Sequence, residues 1–366
     1  MTYAYPPQNL DDLEPQDWPG YEGDWPNPQW PGGAKVCVSF VVHAEAGAES
    51  HETNGDAYPE AWLNETVFGR YGTLPHNAGT NSSSVYEYET CRGFWNVLDV
   101  FDRYSLPATL FVCGRSAEVF PTYITEAESR GWELVSENYR FLDYYSLDPS
   151  VELEHATKAI ESISKASTKG TVPRSYYMSR PSPISESVAV EAWKNKGVEL
   201  GYSNCAYGDD LPYYGLKNGI LYVPMSLDCN DQKFISAPGF SSGVDFYDHI
   251  SSAFDCLYKE GLEGSQKMMT GRRESLLTLR QVALHPRIIS RPGRLAYLIN
   301  LIEHIQKHEG VWIPTRSEIA EYVGSGLNSN SISVSASACV IRFVRRAQRE
   351  GTLNDDRHWK KVHPRK

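Results

Sequence analysis

The 366-residue sequence has no Cys-x-x-Cys pair, no Gly-x-Gly-x-x-Gly run after an apolar strand and no phosphate-loop lysine motif. Without those glycine fingerprints, dinucleotide and nucleotide binding lose their usual support. The seven cysteines are scattered and odd in number. That pattern suits reduced, buried thiols better than a disulfide framework or a structural zinc site. Met1 to Gln16 lack a basic stretch followed by an apolar core, and no apolar run approaches the roughly 20 residues that span a bilayer. A cytoplasmic protein with no membrane partner is the expectation. Positive charge is also short: 35 Lys/Arg against 46 Asp/Glu leave a net charge of −11, which argues against a nucleic-acid partner. The shortage is uneven. Residues 340–366 carry nine Lys/Arg and three Asp/Glu, so a basic tail follows an acidic body of net charge −17.

What is present fits a folded α/β protein. Hydrophobic residues make up 41% and aromatics 12%, enough to exclude disorder of the whole chain. Residues 1–33 repeat Trp-Pro pairs and read as an extended N-terminal arm anchored by aromatic rings. Short apolar strands are predicted at Lys35–Val42, Ala108–Cys113, Glu133–Ser136, Ser175–Met178, Glu199–Ser203, Leu221–Met225, Val282–His285 and Val311–Ile313. Helical patterns alternate with them: Val85–Tyr104, Ala117–Arg130 with a break at Pro121, Asp148 capping a helix to Ser164, Val188–Asn195, Asp245–Tyr258 and Gly293–His308. This alternation predicts a largely parallel sheet, open or closed as a barrel, over residues 34–324. Residues 270–280 read as an insertion, and 325–366 as a Ser/Asn-rich linker with the basic tail.

Catalytic groups in such folds gather at the C-terminal ends of strands. Five predicted strand ends deliver polar residues: His43 and Glu45; Glu137, Arg140 and Asp143; Arg180; Asp228, Asn230 and Asp231; and His285 with Arg287.

At these motifs the chain resembles the polysaccharide deacetylase superfamily (carbohydrate esterase family four, the NodB-homology fold), and most nearly its allantoinase-like branch. The matching stretches run from Trp30 to about Val323. They include Trp30-Pro-Gly-Gly-Ala-Lys-Val, Trp132-Glu-Leu-Val-Ser, Tyr139-Arg-Phe-Leu-Asp-Tyr, Asp209-Asp-Leu-Pro-Tyr-Tyr, Leu227-Asp-Cys-Asn-Asp, Leu284-His-Pro-Arg and Arg291-Pro-Gly-Arg. The resemblance implies a distorted seven- or eight-stranded β/α barrel and hydrolysis of a non-peptide carbon–nitrogen bond, a chemistry that includes carbohydrate metabolism. Its typical members hold a divalent metal through an Asp after the first strand and a His-x-x-x-His pair after the third. Here Glu45 stands nearest the first ligand position, and Glu137 and Phe141 occupy the pair. Two carboxylates make a weak zinc site and Phe cannot ligate, so no metal cofactor is expected, with a divalent metal such as zinc left open on a degraded ligand set. Arg180 matches an active-site arginine, and His285 matches the histidine associated with protonating the leaving group.

The expected reaction is therefore metal-independent hydrolysis of an amide, cyclic ureide or cyclic imide, with a small-molecule or sugar substrate. His285 would protonate the leaving nitrogen, His43 or Glu45 would activate water, and Arg180 would stabilise the oxyanion. Glu45 and Glu137 could instead share a site as paired carboxylates, or each sit in a separate salt bridge, with Arg180 pairing to Glu137. Asp209, Asp210, Tyr213, Asp228, Asn230 and Asp231 are expected to face substrate, and Tyr176, Tyr177 and Tyr214 to line a ring pocket or simply pack. Asp143 is expected to cap its loop. An inactive or repurposed member of the family stands as the alternative, and a second copy of the chain stays open as a partner.

Overall fold

Apart from β1 and β8 the strands of this chain are short, as their apolar runs are, and together the strands bend into a partial barrel. The computed structural model describes residues 27–60, 64–65, 80–215, 218–266 and 279–325. The strands are β1 (Val36–Ala44), β2 (Thr109–Val112), β3 (Glu133–Ser136), β4 (Ser175–Tyr176), β5 (Tyr202–Ser203), β6 (Tyr213–Tyr214), β7 (Leu221–Tyr222), β8 (Leu279–Leu284) and β9 (Val311–Trp312). The helices are α1 (Thr80–Tyr88), α2 (Phe94–Tyr104), α3 (Gly114–Val119), α4 (Thr122–Ser129), α5 (Pro149–Ala166), α6 (Ser185–Asn195), α7 (Gly243–Gln266), α8 (Pro286–Ile289), α9 (Pro292–Gln306) and α10 (Arg316–Gly324). The sheet order is β6-β7-β5-β4-β3-β2-β1-β8, with β9 joined to the start of β1. All pairings are parallel except that of β6 with β7, a hairpin the sequence pattern did not announce. Beyond β7, Asn230 forms a parallel bridge to Ala283 on the outer edge of β8, which carries the curl towards closure.

Central β1 is buried along its whole length, and its period of two divides the core. Val36, Val38, Phe40, Val42 and Ala44 face outward, where α2, α7 and α9 cover them with Phe94, Phe101, Phe254, Leu298 and Ile302. The alternate residues face the barrel interior, which is layered. At the N-terminal end Arg316 enters from the start of α10, donating to Asn204 Oδ1 at 2.5 Å, Ser39 Oγ at 3.4 Å and the Pro224 carbonyl at 2.8 Å. Above it lie Val41, Phe111, Val135, Tyr177 and Met225. Above those, at the strands' C-terminal ends, come His43, Glu137 and His285.

Local chemistry explains the helix limits. Asp148 caps α5 by accepting from Ser150 N at 2.9 Å, with Pro149 in the first turn. Pro121 divides α3 from α4, as its missing N–H requires. Asp143 does cap its loop, accepting from Tyr145 N at 3.1 Å. Of the described thiols, Cys37, Cys113 and Cys229 are buried, whereas Cys91 and Cys256 are exposed on helices, so the expectation of buried cysteines fails for those two. Trp30 packs between Trp312 and Tyr322 at 5.5 and 5.9 Å. The rest of the predicted arm, most of the 270–280 insertion and the basic tail lie outside the described residues. Among the described residues no helix is long and apolar enough to cross a membrane.

Between α1 and α2 the helix widens into a π turn at Glu89–Gly93. Gly93 lies so close to the segment after β8 that an added Cβ would sit 2.5 Å from the Pro286 carbonyl oxygen. Gly93→Ala is therefore expected to destabilise the protein by about 1–3 kcal/mol through overpacking against backbone. Urea unfolding followed by tryptophan fluorescence checks this; an unchanged midpoint would contradict the contact.

Candidate active site

Register builds the site. Val42 pairs with Leu284, so the next residues, His43 and His285, stand side by side on neighbouring strands and share the interior face. Their rings stack, with centroids 4.3 Å apart and planes 7° from parallel. Each imidazole is held through Nδ1 by a buried carboxylate. His43 Nδ1 lies 3.1 Å from both Glu137 oxygens. His285 Nδ1 lies 2.6 Å from Asp231 Oδ1, while the His285 backbone N–H donates to Asp231 Oδ2 at 2.7 Å. The other nitrogens differ. His43 Nε2 is buried without a hydrogen-bond partner, whereas His285 Nε2 pairs with the Gln232 amide at 3.1 Å and lies 3.9 Å from Glu45 Oε1.

Behind the imidazoles lies a fixed cation to which the sequence motifs gave no role. Arg287 Nη1 donates to Glu45 Oε2 and lies 3.8 Å from Glu89 Oε2, and the guanidinium covers the Tyr86 ring at 4.7 Å. Arg287 Nη2 is buried and without a partner. Glu89, turned inward by the π turn, accepts through Oε1 from the backbone N–H groups of Glu45 and Ala46 and from Tyr123 Oη. Glu89 was also missed; a glutamate inside a helical pattern gives no sign of being buried.

Burial sets the protonation. It pushes the carboxyls of Glu137 and Glu89 up to about 8 and that of Asp231 up to about 7, with Arg287 opposing the rise at each. Burial lowers His43 to about 4 and His285 well below its ordinary value. Arg287 moves the other way: burial lowers it, but Glu45, Tyr86 and Glu89 together raise it above its ordinary value, so it stays charged.

The other predicted residues are spread more widely. Arg180 does not pair with Glu137; it stacks on Phe141 at 4.2 Å and donates to the Phe141 carbonyl at 2.6 Å and to Glu60 at 3.2 Å. Asn230 caps the turn ahead of Asp231 by accepting from Gln232 N at 2.8 Å. Asp231 holds His285 rather than facing outward as a substrate group. Asp228 accepts from Ser226 Oγ and lies 3.6 Å from His249. Tyr213 stacks on Tyr222 within the cluster of Trp30, Cys37 and Ile319, which also holds Val223 and Ala206. Asp209 accepts from Leu211 N at 3.0 Å in the turn before β6, next to Asp210. Tyr214 is partly exposed on β6, Tyr176 packs against Trp193, and Tyr177 lies 5.7 Å edge-on to His43.

The divalent metal implied by the family does not fit its usual positions, because Glu137 is committed to His43 and Phe141 to Arg180. Donor atoms of His43, Glu45 and His285 do come within 4.8 Å of one another. In that trio, however, Glu45 already receives the Arg287 guanidinium and His285 Nε2 is paired with Gln232. The guanidinium takes only Glu45 Oε2, so Glu45 Oε1 and His43 Nε2 are the two donor atoms of the trio that are buried without a hydrogen-bond partner.

Removing that cation leaves buried acids uncompensated. Arg287→Met is expected to destabilise the fold by about 3–5 kcal/mol, and adding Glu45→Gln to recover part of the loss. Urea unfolding of the single and double variants checks the coupling; purely additive effects would refute it.

Comparison with known proteins places the fold. Residues 86–199 match the family model described as polysaccharide deacetylase. A Schizosaccharomyces pombe protein assigned to the polysaccharide deacetylases is 36% identical over 303 residues, covering 80% of this chain and 91% of its own length. Among solved structures, the Puue allantoinase superposes with a TM-score of 0.76 at 32% identity, over 86% of this chain and 98% of that one. A Pseudomonas aeruginosa PAO1 protein assigned to the polysaccharide deacetylases gives 0.77 at 32% identity, over 86% and 99%. The curled sheet, its strand-end polar cluster and these matches place the chain in the polysaccharide deacetylase family, hydrolases of non-peptide carbon–nitrogen bonds.

Proposed function

We propose that the chain hydrolyses an amide, cyclic ureide or cyclic imide by acid–base catalysis without a metal. The observation that carries this reading is the stacked pair of imidazoles, each anchored at Nδ1 by its own buried carboxylate. In such a pair the proton count sets the role. With Nδ1–H donated to an ionised carboxylate, Nε2 has a free lone pair and is a base. With one proton more, Nε2–H is an acid.

The two pairs differ in the direction catalysis needs. Asp231 also accepts a backbone N–H, which favours its ionised form, and the Gln232 amide beside His285 Nε2 marks a lone pair there, a hydrogen bond that breaks when water takes its place. That supports His285 as the base. Among the described residues the Glu137 carboxylate has only His43 as a hydrogen-bond partner, and it is raised further, which supports the Glu137–His43 pair as the acid. These roles reverse the expectation from the motifs.

In the proposed reaction, the water oxygen bonds to the carbonyl carbon while its proton passes to His285 Nε2. His43 Nε2–H then protonates the leaving nitrogen as the carbon–nitrogen bond breaks, and the proton held at His285 returns to the His43 pair. Arg287, whose Nη2 has no partner, balances the oxyanion in place of Arg180. Glu45 fixes the guanidinium that does so.

Three measurements test the proposal. Turnover of allantoin, hydantoins, succinimide and N-acetylated sugar oligomers is assayed with and without chelator. Hydrolysis of at least one cyclic ureide, imide or amide, unchanged by chelator, is expected; no turnover of any, or loss with chelator, would defeat it. His43→Ala, His285→Ala and Asp231→Asn should each lower turnover by roughly 10²–10⁴-fold. The pH profile is the sharper check. Activity requires the Asp231–His285 pair without its extra proton, so it rises through about 7; it requires the Glu137–His43 pair with one, so it falls above about 8. A kcat/KM profile flat from pH 6 to 9 would contradict both roles.

A further inference from the structure

A second cluster of metal-type donors lies well away from the imidazole pair. His304, near the end of α9, and His308, just past it, are four residues apart and so share one side of the helix. Their ring centroids are 5.1 Å apart. From the facing helix α7, Asp255 Oδ1 approaches His304 Nε2 to 2.7 Å. One donor atom from each of the three residues lies within 4.8 Å of the others.

The side chains are set in position by their surroundings. Phe254 meets both rings nearly edge-on, at 5.8 Å for His304 and 5.0 Å for His308. Tyr247 packs on His304 at 6.1 Å and Tyr258 on His308 at 4.7 Å. His308 Nδ1 lies 3.0 Å from the His304 carbonyl oxygen, a contact that fixes both ring orientation and tautomer. Helix α7 therefore supplies an aromatic floor and a carboxylate, and α9 supplies two imidazoles whose rotation that floor restricts. An ordinary hydrogen bond between helices would need only one of those imidazoles.

We infer that Asp255, His304 and His308 form a binding site for a borderline transition-metal ion, zinc being the natural occupant of a two-imidazole, one-carboxylate set with an open fourth position. Asp255 is half exposed and the two histidines are partly so, which gives an ion access from solvent. The site ties α7 to α9 near the end of α9 farther from His285; at 1.5 Å per residue the length of α9 separates the two by roughly 20 Å. It is a clamp on the outer helical layer, independent of the proposed catalysis.

The test uses the full chain, stripped with chelator and titrated with zinc alone by calorimetry, beside Asp255→Asn and the His304→Ala/His308→Ala double variant. Circular dichroism confirms that each is folded. The parent is expected to bind one equivalent of zinc that the double variant lacks and Asp255→Asn holds at least tenfold more weakly. Saturating zinc should raise the melting temperature of the parent, on the order of 5 °C, and not that of the double variant. Asp255→Asn keeps a hydrogen-bonding partner for His304 while removing the charge, so it reports on ligation even if the double variant unfolds. Equal zinc stoichiometry and affinity in parent and variants, or no zinc bound by the parent, would overturn the inference. Substrate turnover is expected to be the same in all three proteins with and without zinc, so failure here and failure of the proposed reaction are read separately.

Discussion

An apolar layer one residue thick holds the interior of this barrel together. Val41, Phe111, Val135, Tyr177 and Met225 meet there from five segments, and buried polar networks lie on both sides. Strand alternation makes the arrangement unavoidable: a side chain two residues towards either end of β1 faces the same interior, so Ser39 and His43 flank Val41. The dry layer keeps the guanidinium of Arg316 apart from the acids around the imidazoles. Without it, the two charged networks would merge and water would reach both.

The upper network is unusual in its charge. Glu45, Glu89, Glu137 and Asp231 are all buried there, and Arg287 is the fixed cation they share. Taking carboxylates out of water is expensive unless charge is balanced, so the cluster favours holding protons that exposed acids would release. Burial drives both shifts, raising the carboxyls and lowering the imidazoles, and the nearby acids oppose only the second. Buried acids raised in this way bring proton transfer within reach of ordinary pH.

The frame of the molecule was legible because it rests on local signals. Apolar runs marked most strands of the parallel sheet, Asp148-Pro149 marked the start of α5, and Pro121 marked the break between α3 and α4. His43 near the end of β1, and Glu45, Glu137 and His285 just past their strands, were legible because strand ends of a parallel sheet converge. The partners of these residues were not legible. Glu45 meets Arg287 across 242 positions, and nothing near either residue announces the other. Asp231 looks like any acid in the run Asp228-Cys229-Asn230-Asp231, and only the bridge of Asn230 to β8 brings it under His285. Arg180 was drawn towards the centre by its place in a motif, whereas its stacking on Phe141 and its bond to Glu60 hold it at the 48–60 loop. β7 was expected as a strand, but its hairpin escaped notice because its partner β6 lies in Asp209-Asp-Leu-Pro-Tyr-Tyr, a polar run read as substrate-facing rather than as a strand.

Arg316 sets the order in which the barrel can be completed. It fills the lower interior layer, yet it bonds to Ser39 across 277 positions and to Asn204 across 112. While a ribosome is still making the chain, strands β1 to β8 emerge with the carbonyls of Val223 and Pro224 and the Asn204 amide lacking this guanidinium. Water must occupy that layer until α10 appears and displaces it. Of the contacts that seal the barrel, the one to Ser39 spans more of the chain than any other interior pair described above, and such non-local contacts are the kind that slow folding.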